Sequence, residues 1–139
     1  MKVLLDTCAL AELRHPRGNP AVKAAIDRVP DDFLYISALT LGELTRGMAL
    51  LADGRKKRAL SSWLIALKSQ FVDRVLPVDG EIAYLWGDLA ARARLAGLGL
   101  PVVDGLLAAT ALSNGLHIMT HHTLALAATG ARIIDPWRE

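Results

Sequence analysis

The sequence predicts an α/β fold: a three-layer sandwich with a mostly parallel central sheet flanked by helices. Two observations carry this. Short apolar runs alternate along the chain with longer stretches of helical period, the order expected of strand–helix units joined by right-handed crossovers. The leading run is apolar throughout rather than alternating, as a strand buried on both faces of a parallel sheet must be. At 139 residues the chain has single-domain size and can bury a core without staples. No internal repeat, low-complexity stretch or linker divides it.

The elements follow in order. "KVLLD" (2–6) reads as a buried strand ending in an acid, and "CALAELR" (8–14) as a helix. Asn19-Pro20 supplies an N-cap followed by proline at the first helical position, so a second helix is expected from Pro20 to about Arg28. "FLYIS" (33–37) is the next strand. "TLGELTRGMALL" (40–51) places Leu41, Leu44, Met48 and Leu51 at helical spacing, and "KRALSSWLIALKSQF" (57–71) repeats the period after the turn "ADGR". "RVLPV" (74–78) reads as an edge strand, because Pro77 cannot donate to a ladder. A helix from Gly80 to about Ala96 is stopped by "GLGLP", another runs from about Val103 to Ser113 and stops at Asn114-Gly115, and "HIMT" (117–120) and "ARIID" (131–135) close the sheet.

Composition excludes several classes. The formal charge of +2 is compatible with a polyanionic partner without requiring one. Cys8 is the single cysteine, which rules out an internal disulfide, and a cytoplasmic protein is expected. Asp6 interrupts the N-terminus before an apolar signal core forms, and Asp104 with Ser113-Asn114 breaks the best candidate span, so no membrane association is expected. Neither glycine-rich nucleotide-binding motif is present.

Three acids stand out. Asp6 closes the first strand, Glu43 opens the third helix, and Asp104 opens a late helix inside the nearly uncharged run "LPVVDGLLAATAL" (100–112). In an open parallel sheet the strand C-termini and the following helix N-termini share one edge, where ligands bind. Converging carboxylates repel unless protonated or bound to a cation, and an all-oxygen set suits Mg²⁺ or Mn²⁺. Each acid also has a purely structural reading. Thr40 and Glu43 form T-x-x-E, a capping box, and Asp6 and Asp104 could cap helices or complement their dipoles. Cys8 lacks a placed base for nucleophilic catalysis. His121 and His122 form an adjacent pair suited to a metal or a proton, and "GRKKR" (54–58) is a solvated helix start that could touch phosphate.

Taken together, "LLDTCALAELRHP", "ISALTLGELTRG", "LPVD" near position 78, "LPVVDGLLAATAL", "GLHIMT" and the terminal "DPW" resemble, in order and over nearly the whole length, the PIN-domain proteins. Within these the chain is similar to the VapC-type toxin ribonucleases of the FitB-like subgroup. The resemblance implies a PIN-like sandwich and a Mg²⁺- or Mn²⁺-dependent endoribonuclease acting on single-stranded or loop RNA. It also implies a homodimer restrained by a small antitoxin, with DNA contacted only through that partner. Asp6, Glu43 and Asp104 match the family's first three acids as catalytic and metal-binding residues, with Thr7, Thr40, Arg46, His121 and His122 as candidates for positioning substrate. One departure stands out: where the family commonly has Thr-Arg-Asn-x-x-Asp, this chain has "THHTLA", so the fourth acid falls on Ala125. A second class of function follows from that loss, a catalytically weak module that mainly binds its antitoxin and, through it, operator DNA.

Overall fold

The computed structural model describes residues 1–138. Its sheet has five parallel strands in the order β3-β2-β1-β4-β5: β1 (Val3–Leu5), β2 (Leu34–Ser37), β3 (Val75–Leu76), β4 (His117–Met119) and β5 (Ile133–Ile134). β1 lies between β2 and β4, in register Val3 with Leu34 and His117. All three of its residues are fully buried, which is why "VLL" carries no polar position. β3 is short and at the edge, as Pro77 requires.

Seven helices flank the sheet among the described residues: α1 (Thr7–Arg14), α2 (Pro20–Asp27), α3 (Ala38–Ala49), α4 (Arg55–Gln70), α5 (Gly80–Leu95), α6 (Val102–Asn114) and α7 (Thr123–Leu126). Alternate strand residues feed two cores. Val3, Leu5 and Met119 pack with Leu10, Val22, Ile26, Leu44, Leu67 and Phe71 under α1 to α4. Leu4 and Ile118 pack with Leu107, Ala108, Ala111 and Leu126 under α6 and α7. The three-layer expectation is therefore met.

Helix boundaries follow local chemistry. Asn19 caps α2 through Ala21 N–H and Val22 N–H with Pro20 at the first position, and Gly115, at φ 65°, ends α6 in the left-handed conformation that only glycine adopts freely. α3 corrects the capping-box reading of Thr40 and Glu43. Ser37, the last residue of β2, accepts from Leu39 N–H at 3.0 Å and starts the helix at Ala38, so strand passes to helix with no loop between. Thr40 then falls in the first turn, fully buried, and Glu43 in the second. α7 and the 3₁₀ turn Ala127–Thr129 occupy a stretch with no sequence period long enough to announce them.

α5 and α6 are held close by a missing side chain. A Cβ at Gly105 would lie 2.8 Å from Trp86 Cδ1 and 3.0 Å from its indole nitrogen. Gly105→Ala is therefore expected to destabilise the protein by about 1–3 kcal/mol through overpacking, read as a lower urea midpoint. Trp86→Leu in the same chain should recover part of the loss. Full additivity of the two changes in a double-mutant cycle would show that the close approach is not limiting.

Candidate active site

The parallel sheet delivers its polar residues to one edge. Asp6 follows β1, Thr120 to His122 follow β4, and Asp135 follows β5. The strands are tied there, with Asp6 N–H donating to the Met119 carbonyl and Thr120 N–H to the Ile134 carbonyl, each at 3.1 Å.

Asp6 is only 3% exposed, yet it is well satisfied. Its Oδ1 accepts from Thr7 N–H at 2.7 Å as the N-cap of α1, and its Oδ2 accepts from the Thr120 hydroxyl at 2.7 Å and from the Cys8 thiol at 3.4 Å. These donors offset a desolvation cost that an isolated buried charge could not meet. The N-cap reading of Asp6 is thus correct and coexists with a place in the cluster. Asp104 stands in the first turn of α6 without capping it; the N-cap residue is Pro101, with no side-chain hydrogen bond.

His122 joins the two acids. Its Nδ1 lies 3.2 Å from Asp104 Oδ1 and 3.7 Å from Asp6 Oδ2. The Asp104 hydrogen bond raises its pKa above the ordinary histidine value, with the charges of Asp6, Asp104 and Glu43 adding to it and partial burial opposing. The imidazole thus sits between the two carboxylates of the cluster. Glu43 reaches the cluster through Thr7, whose hydroxyl donates to Glu43 Oε1 at 2.6 Å and lies 3.5 Å from the Thr40 hydroxyl.

The other sequence candidates separate. Thr40 is completely buried and backs Thr7, its hydroxyl 3.5 Å from that of Thr7, so any bearing on substrate would pass through Thr7. Arg46 lies exposed on α3, one turn beyond Glu43. His121 turns toward Asp135, Nδ1 to Oδ1 at 3.3 Å, and packs on Trp137 with ring centroids 5.1 Å apart. The basic run Arg55 to Arg58 opens α4. Burial and the Asp6 charge push the Cys8 thiol up to about 12, so it is no thiolate nucleophile in this state. Ala125 lines a cleft of about 500 Å³ beside the cluster, with Asp104, His121, His122, Thr123, Leu124 and Arg138.

Sequence reasoning missed Thr120, buried and bonded to Asp6 across the sheet, and Asp135, which accepts from Trp137 N–H at 3.2 Å and pairs with Arg138 at 3.2 Å. The "DPW" tripeptide was the available signal for the second; the first opens the "THHTLA" stretch, where the histidines and Ala125 drew the reading instead.

The chain matches the family model of the PIN domain over residues 3–123 and belongs to that family. Among similar proteins, Toxin FitB of Neisseria gonorrhoeae is 33% identical over 99% of both chains. VapC ribonuclease Y4jK of Sinorhizobium fredii is 34% identical over 97% of both. The solved structure of FitAB bound to the IR36 DNA fragment is 31% identical, superposes with a TM-score of 0.92, and is matched over 97% of this chain and 95% of that one.

The two aspartates should separate in stability measurements. Asp6→Ala leaves the Thr7 N–H and the Thr120 hydroxyl without their acceptor and is expected to cost about 1–3 kcal/mol. Asp104→Ala removes only a partly exposed ion pair and should cost less than about 1 kcal/mol. Urea melts of the metal-free variants check this, and equal losses would contradict the capping role assigned to Asp6 alone.

Proposed function

We propose that this chain is a Mg²⁺- or Mn²⁺-dependent endoribonuclease, the toxin of a type II toxin–antitoxin pair, cleaving single-stranded or loop RNA in the cytoplasm. The observation that carries the reading is the convergence of Asp6 and Asp104 on one point, 3.7 and 3.2 Å from His122 Nδ1, beside an open cleft. Convergent, partly buried oxygen donors fit a divalent cation, and Asp6, Asp104 and Glu43 are the residues that would hold it. When bound, such an ion supplies a water of lowered pKa and positive charge for the phosphate oxygens.

The rest falls to the chain. Thr120 and the Thr7 N–H fix the Asp6 carboxylate, Thr7 aligns Glu43, and His121 and Arg138 border the cleft where an RNA backbone would lie. Thr7, Arg46 and His122 remain candidates for positioning substrate. The chain acts as one domain. Its partners in this reading are RNA, a small antitoxin and a second copy of itself, with DNA contacted only through the antitoxin, in keeping with the FitAB relative on DNA. No helix among the described residues is long and apolar enough to cross a membrane.

Ala125 at the fourth acid position favours a second reading, a module of weak activity that mainly binds its antitoxin. RNA cleavage by antitoxin-free protein separates the two. The expected result is Mn²⁺-supported cleavage that EDTA stops, leaving 5′-phosphate and 3′-hydroxyl ends. Asp6→Asn and Asp104→Asn should each lower the rate by more than about 10²-fold, beyond what outer-sphere partners are worth. Cyclic phosphate ends that persist in EDTA would instead assign the chemistry to proton transfer by histidine. No cleavage with any divalent ion would leave the binding module.

A further inference from the structure

The cluster contains donors that a magnesium site does not use. Asp6, Cys8 and His122 each bring one ligand atom to within 4.8 Å of the others. Cys8 Sγ lies 3.4 Å and His122 Nδ1 3.7 Å from the same oxygen, Asp6 Oδ2. Ligands held at roughly 2.0–2.3 Å in a tetrahedron stand about 3.3–3.8 Å apart. Two edges of such a tetrahedron are therefore already set. The Thr120 hydroxyl, 2.7 Å from Asp6 Oδ2 and accepting from the His122 backbone N–H at 3.0 Å, fixes one ligand directly and the backbone that carries another, a form of the outer support that orients ligands at metal sites.

We propose that Asp6, Cys8 and His122 form a transition-metal site of mixed oxygen, sulfur and nitrogen donors that takes Zn²⁺ or Co²⁺ in preference to Mg²⁺ and shares Asp6 with the ion that serves RNA cleavage. Sulfur and imidazole suit zinc and cobalt; magnesium demands six oxygens in near-ideal octahedral array. Asp104, 3.2 Å from the same imidazole nitrogen, or a water completes the fourth position. On binding, metal–sulfur, metal–nitrogen and metal–oxygen bonds replace bonds from the ion to water. The thiol proton, and any proton on His122 Nδ1, pass to solvent, and no oxidation state changes. Competition with the cleaving ion rests on the ribonuclease reading above; the existence of the site does not. In that reading zinc would hold the toxin inactive.

Cobalt titration of the purified, metal-free full chain tests the site without reference to activity. The expected spectrum has a thiolate-to-cobalt charge-transfer band in the near ultraviolet and the intense visible bands of four-coordinate cobalt. One equivalent of Zn²⁺ should abolish both, and a large excess of Mg²⁺ should not. Cys8→Ser should remove the near-ultraviolet band, and His122→Asn should weaken Co²⁺ binding at least about tenfold, the lower range for lost support at a metal site. His122 is half exposed, so its variant remains informative should Cys8→Ser fail to fold. A six-coordinate spectrum without the charge-transfer band, or unchanged affinity in His122→Asn, overturns the proposal. RNA cleavage without the band would sink this site and leave the ribonuclease reading intact; the band without cleavage by any ion would do the reverse.

Discussion

The carboxylate of Asp6 has to be kept charged and satisfied at the buried end of the central strand, and the active edge is arranged around that constraint. A charge removed from water needs donors on every side. The chain provides them by starting α1 immediately after β1, so that Thr7 N–H points back at the side chain. It also places Thr120 directly after the neighbouring strand, so that a hydroxyl arrives from across the sheet. Neither donor supplies a full positive charge. Beyond them stands His122, two residues after Thr120, its Nδ1 3.7 Å from Asp6 Oδ2 and its backbone N–H held by the same hydroxyl.

The same constraint explains what could be read from sequence. Strands such as "VLL" are legible because burial on both faces leaves no polar position, and Asp6 and Asp104 are legible because a lone acid in an apolar context demands a partner. Asn19-Pro20 and Asn114-Gly115 mark helix ends through local backbone chemistry and fall where expected. The T-x-x-E pattern misled for an equally local reason. A capping box needs a loop residue at Thr40, and the residue that ends β2 is Ser37, which already caps the helix.

What stayed hidden is relational. The bond between Asp6 and Thr120 spans 114 positions, and no property of either neighbourhood predicts it. Cys8 is unremarkable until the sheet brings the segment after β4 against the start of α1. Gly105 looks like a weak point in a helix interior, where glycine costs about 1 kcal/mol relative to alanine; its reason appears only with the Trp86 ring against its Cα. Since Asp104 is the preceding residue, the closeness of α5 and α6 also sets where that carboxylate stands.

An imidazole beside such carboxylates bears on both ends of a binding equilibrium. An all-acid site carries mutual repulsion when empty, which a cation relieves on arrival. Here the His122 imidazole stands between the two aspartates, Nδ1 3.2 Å from Asp104 and 3.7 Å from Asp6, and the Asp104 hydrogen bond favours its protonated form, which opposes an incoming hard cation. Zinc or cobalt would differ, because the imidazole can serve such a metal as a ligand in its neutral form. An imidazole and a thiol at this edge therefore shift the preference of the proposed site from magnesium towards metals that accept nitrogen and sulfur.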